Sequence, residues 1–332
     1  MPADSCRYSN AQHLVVAVLQ NDKAIGGRLL NLANAGVGRV LMKELALRAV
    51  VGHPHLAGEG WRLALRILDG SGDDASSLEL AAFPEIRDGT GAPLAVLSVA
   101  LSSLSWIGEA IARRLNLEEP YSFQVGLVEP DDPTLEAWLV EQEENNDFVI
   151  TAAPRELRLP GGFFSDSPGP RRTIRRKDSW LRCVLRNEVY AEFMDAAATE
   201  KQAERAWVGT SSIHLADGVI YVLVDRLAEA PAQRQRYSLR TLGRDFYALR
   251  QRLGDRLNAF LHLHPSDING VSATTQPSEA DAEVAWNLEA TTWLPVVLPI
   301  ALFGCDPDDP GDGVAAYSFL GGVLTEVDLE VL

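Results

Sequence analysis

Apolar and polar positions change their spacing twice along the 332-residue chain. Between residues 11 and 50, Leu14, Val15, Val18 and Leu19, and then Leu29, Leu30 and Leu32, recur at helical spacing, with Gly26-Gly27 as the turn between two helical stretches. From Trp61 the pattern shortens to alternation. Trp61 to Leu68 reads as a half-buried strand, Gly70 to Asp74 as a turn and Leu78 to Phe83 as the returning strand. Pro93 to Leu101 and Ser122 to Val128 predict further strands; Ser105 to Leu115 and Asp132 to Glu143 predict helices, the second opening on Asp131-Asp132-Pro133. Residues 1–158 are therefore expected to form a mixed α/β domain, with partner recognition as its role.

Periodicity stops over 159–178, where Pro160-Gly161-Gly162 and Ser165 to Pro170 lead into the basic run Arg171 to Lys177. That composition predicts an exposed linker, its charges solvated or paired with the protein's own carboxylates. A second domain is expected over 179–332. Glu188 to Ala203 places Val189, Tyr190, Phe193, Met194 and Ala197 on one helical face. Strands are predicted at Trp207 to His214 and Val219 to Val224, joined by Asp217-Gly218, a strong hairpin signal. A helix over Ser238 to Leu253 leads to the apolar run Leu257 to Leu261; then come a helix over Ala282 to Ala290 and strands at Pro295 to Phe303, Ala315 to Leu320 and Leu324 to Leu332.

Composition narrows the function classes. With 46% hydrophobic and 23% charged residues the chain is of ordinary globular type. A net charge of −16 argues against nucleic acid as a general partner, because phosphate binding draws on clustered Lys and Arg. Cys6, Cys183 and Cys305 follow no pairing rule, no signal peptide is read at the start, and no run is long enough to span a bilayer, so the expected location is the cytoplasm.

The chemistry concentrates at His262-Leu263-His264-Pro265. Side chains alternate along a strand, so two histidines separated by one residue turn to the same side and suit one metal ion. Asp281, at the start of the next helix, would add a carboxylate; two nitrogens and one oxygen around Zn²⁺ leave a fourth position for water, as catalytic zinc sites require. Ser278-Glu279-Ala280-Asp281 is also close to a capping box, and the two roles are compatible. His53-Pro54-His55 repeats the histidine spacing without a following Ser-x-x-Asp and reads as a loop.

His262-x-His264-Pro265 followed by Ser278-x-x-Asp281 resembles the metal-binding motif of the JAMM metalloproteases, the JAB or MPN-plus family, many of which cleave ubiquitin or ubiquitin-like proteins from their conjugates. For residues 179–332 the resemblance implies a JAB/MPN-like α/β (α+β) domain, a central mixed sheet with flanking helices, holding Zn²⁺ on His262, His264 and Asp281. It also implies Glu204 as general base to a zinc-held water, with Glu200 as the second choice, and Ser278 as a hydroxyl that assists the developing charge. The implied substrate is a ubiquitin-like protein's tail or its isopeptide conjugate, with conjugation-pathway partners selected by the first domain. Two features depart from the family pattern. Residues 266–277 make a longer loop, which leaves open whether it gates the site, and Ala206 and Trp207 stand where glycines usually follow the glutamate. The alternatives are a catalytically silent MPN-like scaffold and, on Pro265-Ser266 and Pro277-Ser278, a RadC-like protein.

Overall fold

The structure is a computed structural model that describes residues 8–9, 13–20, 23–31, 37–54, 62–68, 77–84, 94–100, 112, 116–118, 120–128, 157–158, 164–165, 168–200, 204–230, 232–235, 238–241, 256–268, 271–272, 274–292 and 294–332. The chain forms two compact units, one of residues 1–52, 60–159 and 321–323, the other of residues 53–59, 160–320 and 324–332. Among the described residues no helix is long and apolar enough to cross a membrane.

In the first unit, strands Arg62–Leu68, Ser77–Pro84 and Ala95–Ala100 form an antiparallel sheet extended by Tyr8–Ser9 and Leu157–Arg158. Leu97 and Val99 point to its buried face, while Val96, Ser98 and Ala100 alternate outward. A second sheet places His13–Gln20 between Lys23–Asn31 and Ser122–Val128. The helical reading of residues 11–31 is thus corrected: Leu14, Val15, Val18 and Leu19 lie in a strand, and Gly26-Gly27 lies inside the next one. Val37–Gly52 is the helix here, with Leu41, Leu45, Ala49 and Val50 fully buried. The helices expected over 105–115 and 132–143 fall largely or wholly outside the described residues.

The second unit is built on seven strands: β1 (Leu181–Leu185), β2 (Ala206–Ala216), β3 (Val219–Glu229), β4 (Leu257–His264), β5 (Val297–Leu302), β6 (Val314–Leu320) and β7 (Val323–Val331). They pair in the order β1-β3-β2-β4-β5-β6-β7, and β7 returns to pair with β1. The pairs β1/β3, β4/β5 and β1/β7 are parallel; β2/β3, β2/β4 and β5/β6 are antiparallel. This closed mixed barrel corrects the expected JAB/MPN-type arrangement of an α/β sheet sandwiched by flanking helices. The cause is β7, which lies between β6 and β1 and so joins the two edges an open sheet would leave bare.

Helix α1 (Asn187–Thr199) buries the five residues its periodicity singled out, and Phe193 meets Trp207 of β2 edge to face at 5.8 Å. Asp217-Gly218 forms the tight turn between β2 and β3, both residues at positive φ. The helix expected over Ser238–Leu253 is not formed at its start: Ser238–Thr241 pairs as a strand with Ala232–Gln235, and residues 242–255 lie outside the described residues. Nor is the stretch read as a linker free. Phe164–Ser165 pairs with β2 and Arg172–Arg175 with β7, because β7 offers Glu326 and Glu330 to Arg175, Lys177, Arg171 and Arg182.

Two close contacts constrain the barrel. Gly209 lies where β2 runs between β3 and β4; a Cβ there would sit 2.8 Å from Val224 Cγ1 and 3.0 Å from Ala259 Cβ. At the start of β1, the Ser179 N–H donates to the Asp328 carboxylate at 2.7 Å and the Asp328 N–H donates to Ser179 Oγ at 3.1 Å. Burial pushes the Asp328 carboxyl up, but the Ser179 and Lys177 N–H groups and the Arg182 guanidinium outweigh it and hold the group below its ordinary value.

Gly209→Ala is expected to lower stability by about 1–3 kcal/mol, the usual cost of overpacking, measured by urea unfolding. A depressed folded-state pKa contributes stability above the unfolded carboxylate value of about 3.9 and loses it as pH falls through the lower folded value. The wild type should therefore lose stability on acidification below about pH 4 more steeply than Asp328→Asn, measured by thermal unfolding across that range.

Candidate metal centre

β4 carries Phe260, His262 and His264 at alternate positions, on one face of the strand. His262 lies opposite Ala206 of β2 on one side and Ile300 of β5 on the other. The ladder with β2 continues just beyond its first residue, where the Leu263 N–H donates to the Arg205 carbonyl at 2.9 Å. Glu204 is thereby carried to the imidazole. Its Oε2 lies 3.3 Å from His262 Nε2, and the residue is buried at 7% exposure, so it is no solvated helix end. Glu200 closes α1 as its C-cap. Ala206, which shares the His262 face of the ladder, is small; Trp207 takes the other face, against Phe193, and so the bulk that departs from the family pattern is turned away from the histidine.

The carboxylate opposite comes from helix α2 (Glu279–Thr291), which Ser278 caps. Ser278 N–H and Oγ–H both donate to Asp281 Oδ2, at 2.8 Å and 2.7 Å, and the Asp281 N–H donates back to Ser278 Oγ at 3.2 Å. This is a full capping box, and it aims the carboxylate: Oδ1 lies 2.8 Å from His262 Nδ1 and Oδ2 lies 3.2 Å from His264 Nε2.

The residues fit a cation. His262 Nδ1 is buried without a hydrogen-bond partner although Asp281 Oδ1 is so near, because the two are close but not aligned as donor and acceptor. His264 Nδ1 stands 3.1 Å from the Thr274 carbonyl. A carbonyl only accepts, so this contact needs the proton on Nδ1. Nε2 then faces Asp281 Oδ2, a pair that either a second ring proton or a cation bridges. His262, His264 and Asp281 each offer one ligand atom, these atoms lie within 4.8 Å of one another, and the group is able to hold a metal ion.

Charge is unevenly shared in this cluster. Burial alone would depress His262, but the Asp281 and Glu204 carboxylates overcome it and raise the imidazole to about 9. Burial would raise Asp281, but His262 and His264 hold it far below the usual carboxylate range. Proton and cation compete for the same histidine nitrogens.

His262, His264, Asp281, Glu204 and Ser278, all singled out in the sequence, come together here. Thr274 was missed: its contribution is a backbone carbonyl, for which no side-chain pattern exists.

Purified wild-type chain supplied with divalent metal should carry about one ion per molecule, and His262→Ala/His264→Ala little, by elemental analysis of the dialysed protein. Equal metal in both would remove the centre. No family model matches the chain, and no curated protein matches it.

Proposed function

We propose that the second unit is a zinc-dependent peptidase that cleaves after the C-terminal tail of a ubiquitin-like protein, or the isopeptide bond joining such a tail to a conjugate. The observation that carries the reading is Glu204: a fourth buried group, a carboxylate that completes no structural ion pair with Lys or Arg among the described contacts, sits 3.3 Å from one of the two ligand histidines. A buried carboxylate beside the ligand set supplies the acid-base group that hydrolysis by a cation-held water requires. Two imidazoles and one carboxylate are a ligand set of catalytic zinc sites. The substrate class rests on the resemblance of His262-x-His264-Pro265 and Ser278-x-x-Asp281 alone.

A divalent cation bound in such a group acidifies water and polarises a carbonyl. The chain's own groups do the rest. Glu204 accepts a proton from the attacking water and delivers it to the departing amine, a general-base and then general-acid role within hydrogen-bond reach of the site. Asp281 and the two histidines fix the cation, and the burial of His262 and Asp281 excludes bulk water. Ser278 donates its hydroxyl to Asp281 in the resting arrangement; assisting charge on the scissile carbonyl requires that hydroxyl to turn. The same reading places the activity in the cytoplasm, where the free, buried Cys183 and Cys305 would stay reduced, and gives the first unit the choice of partner.

Glu204→Gln is expected to keep its zinc and lose turnover by about 10²–10⁴-fold, the contribution of a positioned acid-base group, on ubiquitin-like fusions read by gel and mass spectrometry. A zinc-loaded wild type that cleaves none of a panel of such fusions would replace the peptidase with a silent scaffold.

A further inference from the structure

We infer that the segment Thr274 to Ser278 is a positioning element for the cation, acting through the Thr274 carbonyl and the Ser278 hydroxyl and amide. The inference rests on the metal-centre reading above. In sequence residues 266–277 make a longer loop than the motif they resemble has, which leaves open whether they gate the site. In the structure part of that length folds on itself, Asp267–Ile268 pairing antiparallel with Val271–Ser272, and the chain then returns to the histidine it left.

At the return, Thr274 Oγ1 accepts the Gln276 N–H at 3.3 Å, a local turn closed by a threonine hydroxyl, and the adjoining Thr275 is buried at 6% exposure. Turn and anchor together aim the Thr274 carbonyl at His264 Nδ1. Four residues later Ser278 takes hold of Asp281 Oδ2 with two donors. One loop therefore decides which atom of each ligand is presented: on His264 it engages Nδ1 and leaves Nε2; on Asp281 it engages Oδ2 and leaves Oδ1 beside His262. Partners of this kind fix the tautomer and orientation of a ligand, and their loss typically costs 10–100-fold in metal affinity.

Ser278 also caps α2, so its two roles must be separated. Glycine is a tolerated N-cap while alanine is not. The experiment uses the full chain with Co²⁺ as the probe, its dissociation constant measured by chelator competition for wild type, Ser278→Gly, Ser278→Ala and Thr274→Val, with thermal unfolding of each metal-free chain alongside. Ser278→Gly should bind Co²⁺ about 10–100-fold more weakly while its metal-free unfolding stays near wild type; Ser278→Ala should lose both. Thr274→Val, which removes the acceptor that closes the turn, should also weaken Co²⁺ binding without a matching loss of unfolding temperature. A wild type that fails to bind Co²⁺ sinks the metal centre itself. A wild type that binds, with Ser278→Gly binding as tightly, overturns the positioning role alone. Should the variants not fold, the ¹⁵N shifts of His264 in the metal-free wild type decide: Nδ1–H is expected, and Nε2–H overturns the inference.

Discussion

The second unit depends on β4 being held along both edges. Its face with Phe260, His262 and His264 meets β2 through Ala206 opposite His262, and β5 through Ile300 opposite the same residue. A slip of one residue would turn every one of these side chains to the other face. The pairing with β2 shifts once, at Asn258, between the Gly209–Ala259 and Thr210–Leu257 pairs. There the side chain takes over from the ladder: wholly buried, it accepts from Ser211 Oγ of β2 at 2.7 Å and donates to the Pro295 carbonyl before β5 at 2.9 Å. Leaving either group unpaired would cost about 1–3 kcal/mol, so the polar pair pins the shift to this residue.

The same register explains why the site lies at one end of the strands. β4 and β5 are parallel, and parallel neighbours need a crossover, here the loop and α2. A crossover helix begins beyond the carboxyl end of the strand that feeds it, and its N-terminus carries the positive end of the peptide dipoles, which favours a carboxylate in its first turn. Asp281 thus arrives beside His264 as a consequence of strand direction. Glu204 arrives from the opposite side because β2 is antiparallel to β4 and starts where β4 ends.

How much of this was legible in the sequence follows from the range of each interaction. The i, i+2 histidines, the Ser-x-x-Asp pair and the stripe of α1 are local patterns, and each appears where the spacing put it. Barrel closure is not local. It requires β7 to pair with β1, where paired residues such as Arg182 and Asp328 lie 146 residues apart, and nothing in the apolar run near the C-terminus states its partner. In the first unit, Leu14, Val15, Val18 and Leu19 satisfy helical spacing and equally belong to an eight-residue strand, because a short apolar run carries too few positions to separate the periods. The basic run 171–177 was ambiguous for the opposite reason: its composition is that of a tether, and only the half-buried Glu326 and the buried Glu330 of the last strand make it a paired strand. Thr274 had no signal at all, since a carbonyl belongs to every residue.

The charge of the cluster bears on how it is held. Glu204 and Asp281 bring two carboxyl groups into a place where His262 is 4% exposed, and burying a carboxylate without compensation costs several kcal/mol. Those two neighbours raise the His262 imidazole against the effect of its own burial, so the side chains that burden the site with negative charge favour a positive one inside it. A proton on the imidazole and a cation between the ligand atoms both supply that charge, and they exclude one another at the same nitrogen. Which groups compete there is a consequence of where β2, the loop and α2 meet the end of β4.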